Sequence, residues 1–147
     1  MKTYSTYLLV TLLVFTLTNC SNDDNGTIEP EPTVSELLIG KWFIEEKNNI
    51  KVPEGCLDRT FYQFIDGQNV VSEQFSSAEI DSECFSTGIY ASPYTINATN
   101  EVVFDIQDEL FGIVTVTLEI IEISTNELTG TLQDRFGGAE YKLIKDL

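Results

Sequence analysis

The chain has 147 residues, 24 acidic against eight basic side chains, no histidine, and a net charge of −16. Such a surface repels nucleic acid and anionic lipid, and no basic patch reverses that, so nucleic-acid binding is excluded. Chemistry without histidine would rest on acids, serines or tyrosines; neither Ser-x-x-Lys nor Gly-x-Ser-x-Gly occurs, and the chain reads as a protein that is not an enzyme.

Lys2 gives a positive start, and Tyr7 to Leu17 is an apolar run. A spanning helix needs roughly 20 apolar residues, so the run suits a signal peptide. It ends in Leu17-Thr18-Asn19-Cys20. That tetrapeptide resembles the bacterial lipobox, with an aliphatic residue three positions before the cysteine, although Asn19 stands where glycine, alanine or serine is usual. The resemblance implies cleavage before Cys20 and acylation of its thiol, which anchors the chain to a membrane. Removing the first nineteen of 147 residues leaves 128, one domain of ordinary size. Three segments follow: a signal peptide over 1–19, a lipidated Cys20 with an acidic, proline-bearing tether over 20–33, and a folded domain over 34–147. Ser21-Asn22-Asp23-Asp24 resembles the export signal of Bacteroidetes-type surface lipoproteins. It implies an exported protein of the cell envelope, on the outer membrane and facing the surface.

Thr33 lies three residues before Glu36, the spacing of a capping box, and Gly40 offers the positive φ that ends a helical turn. Beyond it, strand alternation sends Trp42 and Ile44 to one face and Lys41, Phe43 and Glu45 to the other. Lys47 to Cys56 reads as a loop. Arg59–Ile65 is a strand, Asp66-Gly67 a hairpin turn, and Val70–Phe75 the next strand. Ser76 to Thr87 reads as a long polar loop or weak strand. Gly88–Ile96 follows, with Pro93 marking an edge or a bulge. Glu101–Ile106, Phe111–Glu119, Glu127–Gln133 and Glu140–Ile144 complete about eight strands, all-β, which predicts an antiparallel up-and-down barrel or a sandwich with one short N-terminal helical turn.

With Cys20 assigned to lipid, Cys56 and Cys84 remain, either as a bridge or as two separate thiols; an oxidising compartment favours the bridge. No metal and no cofactor is expected: zinc lacks ligands, and the Asp/Asn cluster of the tether lacks the spacing of a calcium loop.

Leu38-Ile39-Gly40-Lys41-Trp42 resembles the Gly-x-Trp motif that opens lipocalins and other calycins, and Val34 to Leu147 is similar to the lipocalin-like lipoproteins of Bacteroidetes. In that family one cysteine precedes an aromatic strand and hairpin, here Cys56 before Phe61 to Gly67, and a second follows, here Cys84 before Tyr90. The resemblance implies the barrel rather than the sandwich, with Gly40 and Trp42 at its closed floor and a basic residue over the tryptophan, for which Arg135 and Lys145 both qualify. No Thr-Asp-Tyr motif occurs. The resemblance also implies a small apolar or amphipathic ligand in the open end, with Phe61, Tyr90 and Phe104 as candidates for the interior. The alternative is an accessory lipoprotein with a filled barrel, whose loops meet an envelope protein or a glycan.

The lipid anchor is tested directly. Cys20→Ala should release the protein from membranes, since each buried CH₂ of an acyl chain contributes roughly 0.8 kcal/mol; an intact mass showing an unmodified residue 20 in the mature protein would contradict acylation.

Overall fold

The computed structural model describes residues 30–76, 83–108 and 110–146; the signal peptide, Cys20 and the tether up to residue 29 lie outside them. One short helix, α1 (Val34–Leu38), leads into strands β1 (Gly40–Lys47), β2 (Ile50–Lys51), β3 (Phe61–Ile65), β4 (Asn69–Ser76), β5 (Phe85–Ile96), β6 (Glu101–Asp108), β7 (Gly112–Ile123), β8 (Glu127–Asp134) and β9 (Gly137–Lys145). Each long strand pairs antiparallel with the next, and β9 returns to β1, from Trp42 opposite Lys145 to Lys47 opposite Tyr141. The result is a closed, eight-stranded up-and-down barrel, with two-residue β2 added beside the end of β1. Closure removes the sheet edges that would otherwise be left unpaired.

Alternation explains which faces turn inward. Along β7, Val114, Val116, Leu118 and Ile120 are buried and Thr115, Glu119 and Ile121 are exposed. β6 does the same with Val102, Phe104 and Ile106. The turns supply the rest: Asp66 and Gly67 both take positive φ, 46° and 73°, as a hairpin with the twist of its flanking strands requires.

Three expectations change. The stretch Lys47 to Cys56 is not all loop, because β2 pairs Lys51 with Glu46 and Ile50 with Lys47. Arg59 lies in a 3₁₀ turn, Leu57–Arg59, and the strand begins at Phe61. Of the polar segment Ser76 to Thr87, residues 77–82 lie outside the described residues, while Phe85 to Thr87 already belong to β5.

All strands run between two ends. The closed end holds α1, the Asp66-Gly67 turn, the turns at 97–100 and 124–126, and the end of β9. The open end holds the 48–60 connection, the start of β5 and the hairpin tips after β6 and β8. Cys56 and Cys84 are bridged there, with Cα atoms 5.3 Å apart, tying the 3₁₀ turn to the approach to β5.

The bridge spans 28 positions of sequence, which in the chain-entropy picture stabilises the fold by about 3–4 kcal/mol. Replacing both cysteines by serine should lower the unfolding free energy by about that amount in denaturant titrations. No loss of stability would show that the loop is held by its other contacts.

Candidate functional site

At the closed end the sequence builds a lock. The Thr33 hydroxyl accepts from the Glu36 N–H at 3.3 Å, and the Glu36 carboxylate accepts from the Thr33 N–H at 2.7 Å, so the capping box forms. The Thr33 N–H, contributing most, and the Thr33 hydroxyl, which also donates to the Glu36 carboxylate at 2.8 Å, hold that carboxyl below the usual carboxylate range. The turn ends differently from expectation. Ile39 is extended at φ −56°, ψ 126°, and Gly40 opens β1 at φ +136° instead of capping α1. Its second role is clearance: a Cβ at Gly40 would overlap the Lys145 methylenes, with Cδ only 3.2 Å away. No side chain fits there without moving Lys145.

Lys145 uses that space. Its ammonium donates to the Leu37 carbonyl at 2.8 Å and lies 4.8 Å from the centre of the Trp42 ring. The Trp42 indole N–H donates to the Leu38 carbonyl at 2.7 Å, and both Leu38 and Trp42 are fully buried. Two carbonyls that the last turn of α1 would leave unpaired are thus bound by side chains. Burial pulls the Lys145 ammonium below its ordinary pKa. Between the two basic residues compatible with the sequence, the structure therefore seats Lys145 over the tryptophan. Arg135 is at the other end, its guanidinium 5.1 Å from the Phe111 ring centre and 4.6 Å from that of Phe136.

Above the floor, rings fill the barrel. Phe64 meets Tyr94 edge-on at 5.1 Å and Phe104 at 5.7 Å, and Tyr62 meets Phe104 at 5.7 Å. All four are buried. Edge-to-face pairs are favourable beyond the area they cover. Phe104 is inside as expected, and Tyr90 is half-buried on the inward face of β5. Phe61 is not inside. Tyr62 and Phe64 take the inward positions of β3, so Phe61 lies on the outer face, where it is nonetheless buried, packed 6.0 Å from Phe43 and covered by the Lys41 ammonium at 3.8 Å. Tyr62 had no distinguishing signal in the sequence, since every residue from Phe61 to Ile65 except Gln63 is apolar or aromatic.

The interior tyrosines titrate abnormally. Burial drives the Tyr62 phenol far above its ordinary value, with Tyr141 adding to the effect. Tyr94 is raised by burial and then by Asp66, and its hydroxyl has no hydrogen-bond partner among the described residues.

At the open end the inward positions form a shallow mouth of about 260 Å³, bounded by Lys47, Leu132, Asp134 and Tyr141, with the Lys47 ammonium 5.6 Å from the Tyr141 ring centre. That is slightly below the roughly 300–1,000 Å³ of usual ligand pockets. Beside it, Phe111 and Phe136 meet at 4.3 Å while remaining 50% and 58% exposed. This pair, on two separate hairpin tips, is the feature that reading along the sequence missed; the apolar residues next to turn formers at Leu110-Phe111 and Arg135-Phe136 were its only signal. Among the described residues no group of three or more histidine, cysteine, aspartate or glutamate side chains could hold a metal.

No protein-family profile matches the chain, and no curated protein matches it. Among solved structures, it is similar to the crystal structure of a lipocalin-like protein from Bacteroides uniformis, with 17% identity over 75% of this chain and 99% of that one and a TM-score of 0.48. The closure of this barrel stands on its own β1–β9 ladder.

Two outcomes test this geometry. Trp42→Ala should cost about 3–5 kcal/mol, as emptying a large aromatic site does, and Trp42→Phe clearly less; strong acrylamide quenching of the native tryptophan would contradict its burial. In alkali, the folded state keeps the Tyr62 and Tyr94 protons where the unfolded chain releases them. Their contribution is therefore complete below about pH 10 and is lost as pH rises through the raised folded values. Urea titrations at rising pH should show this fall, and Tyr62→Phe with Tyr94→Phe should flatten it.

Proposed function

We propose that this chain is a lipid-anchored accessory lipoprotein of the cell envelope, exported to the outer membrane, whose lipocalin-like barrel presents its open end to an envelope protein. The observation that carries this reading is a contrast between the two halves of the barrel. The interior is occupied by Trp42, Tyr62, Phe64, Tyr94 and Phe104, which leaves function to the surface. At the open end two phenylalanines and an arginine stand together and exposed, and aromatic residues with arginine are the side chains that anchor protein interfaces. The folded domain begins with α1 at the closed end, opposite that cluster. A second, smaller reading is a ligand held in the mouth between Lys47 and Tyr141, favoured by the cleft itself.

A photocrosslinking residue at position 136 in the native envelope should give one discrete protein adduct, and the same residue at position 126, on the closed end, should not. Phe111→Ser with Phe136→Ser should abolish the adduct formed from a neighbouring open-end position. Adducts of equal yield from both ends would overturn the open-end assignment, and a glycan in the adduct would replace the protein partner.

A further inference from the structure

The closed end carries a concavity of its own, outside the barrel. A cleft of about 580 Å³ lies among the start of α1, the Asp66-Gly67 turn, the end of β5 and the turn that follows it. That volume is within the roughly 300–1,000 Å³ of usual ligand pockets. Val34 and Ile96, half-buried and packed against the core, supply its apolar surface. Ser35, Thr95 and Asn100, all exposed, supply polar surface. Asn100 is fixed in place by its backbone, at φ 61°, with its carbonyl accepting from the Ile120 N–H at 3.3 Å.

One buried polar group belongs to this cleft. Tyr94 is 5% exposed, and its hydroxyl has no hydrogen-bond partner among the described residues. The ring is held from inside the barrel, edge-on to Phe64 at 5.1 Å. The hydroxyl reaches the turn. At Gly67, which lines the same cleft, an added Cβ would lie 4.0 Å from the Tyr94 Oη and would meet no other described residue beyond its chain neighbours within that distance. The absent side chain thus leaves space in front of the hydroxyl. Burial, with Asp66 adding to it, holds the proton on the phenol, so the group offers a donor, and a buried donor without an acceptor is costly.

Charge and chemistry select the occupant. No residue lining the cleft is charged. The segments around it, 33–38, 65–69 and 93–101, contain no lysine or arginine to hold an anion. Of their three acids, Glu36 is bonded to Thr33 and Glu101 to Asn97, while Asp66 stands beside the turn glycine. An uncharged ligand is left, with an acceptor oxygen for Tyr94. Its other groups must both donate and accept, as the Ser35 hydroxyl and the Asn100 amide do, and it must turn C–H groups to Val34 and Ile96. A hexose has all three.

We propose that the closed-end cleft of Val34, Ser35, Gly67, Tyr94, Ile96 and Asn100 is a binding site for an uncharged hexose unit, one oxygen of which accepts from the Tyr94 hydroxyl. This goes beyond the open-end reading and does not rest on it.

The probe is methyl β-glucoside, titrated against the full chain and followed by backbone amide shifts, with glucuronate and glucosamine as its anionic and cationic counterparts. Saturable shifts at Ser35, Gly67 and Asn100 are expected, with a Kd of about 1 mM, and both charged sugars should bind at least about tenfold more weakly. Tyr94→Phe keeps the ring on Phe64 and removes the donor. It should weaken binding about tenfold without lowering the urea midpoint at neutral pH, because it deletes a group that the fold leaves unpaired. Asn100→Gly keeps the left-handed backbone, removes the amide and should also weaken binding. Binding that survives Tyr94→Phe, glucosamine binding more tightly than the glucoside, or no saturable shift would each overturn the site. So would a clear loss of stability in Tyr94→Phe, since the hydroxyl would then already be satisfied within the fold. Phe111→Ser with Phe136→Ser should leave sugar binding intact, so failure of the open-end crosslink and failure of this cleft are told apart.

Discussion

The indole N–H of Trp42 on the Leu38 carbonyl, with the Lys145 ammonium above the ring and on the Leu37 carbonyl, is the contact on which the rest of the barrel depends. It joins three parts of the chain that are distant in sequence: α1, the start of β1 and the end of β9. Each partner would be costly alone. A buried indole donor without an acceptor loses its hydration, and a helix end buried with free carbonyls does the same. Together they satisfy one another, and the barrel closes at the place where its first and last strands meet. Gly40 is part of the same arrangement, because only a residue without a side chain lets Lys145 cross there.

Filling the barrel with rings has a consequence for function. Phe64 sits between Tyr94 and Phe104, and Phe104 also meets Tyr62, in edge-to-face contacts that leave the middle of the barrel to side chains. The exposed aromatic pair lies instead at the rim. There the disulfide fixes the 3₁₀ turn to the approach to β5, and the tips of two hairpins bring Phe111, Arg135 and Phe136 together. The wall also departs from regular pairing, since Pro93 ends the β5–β6 ladder and the Ser92 hydroxyl takes the next place by bonding both backbone groups of Asp105.

Charge is distributed as unevenly as shape. The basic residues of the domain lie on β1, β2, the turn before β3, the tip after β8 and β9, and Lys142 bridges Glu45 at 3.1 Å and Glu127 at 3.2 Å on that side. The opposite wall, β3 to β8, carries no lysine or arginine of its own and is reached only by Arg59 over Phe75 and Arg135 over Phe111 among the described residues. One half of the barrel is thus internally compensated and the other presents a field to its surroundings.

The sequence by itself determined whatever depends on near neighbours. Alternation along Glu101–Ile106 and Phe111–Glu119 marked strands and their inward faces, Asp66-Gly67 marked a hairpin, and Thr33 with Glu36 marked the start of α1, because each is decided within a few residues. Two leftover cysteines pointed to the bridge that is present. The lipid anchor remains a reading of the first residues alone. Tertiary structure decided what depends on closure. Arg135 and Lys145 are equally basic, and only the β1–β9 register, with Trp42 opposite Lys145, selects between them. Phe61 and Tyr62 are both aromatic and adjacent, so composition could not say which faced inward; the pairing of Trp42 with Tyr62 did, and Phe61 was left outside beneath Lys41. The break in the β5–β6 ladder was equally invisible, because Pro93 tells that a rung is missing and not which neighbour lacks it.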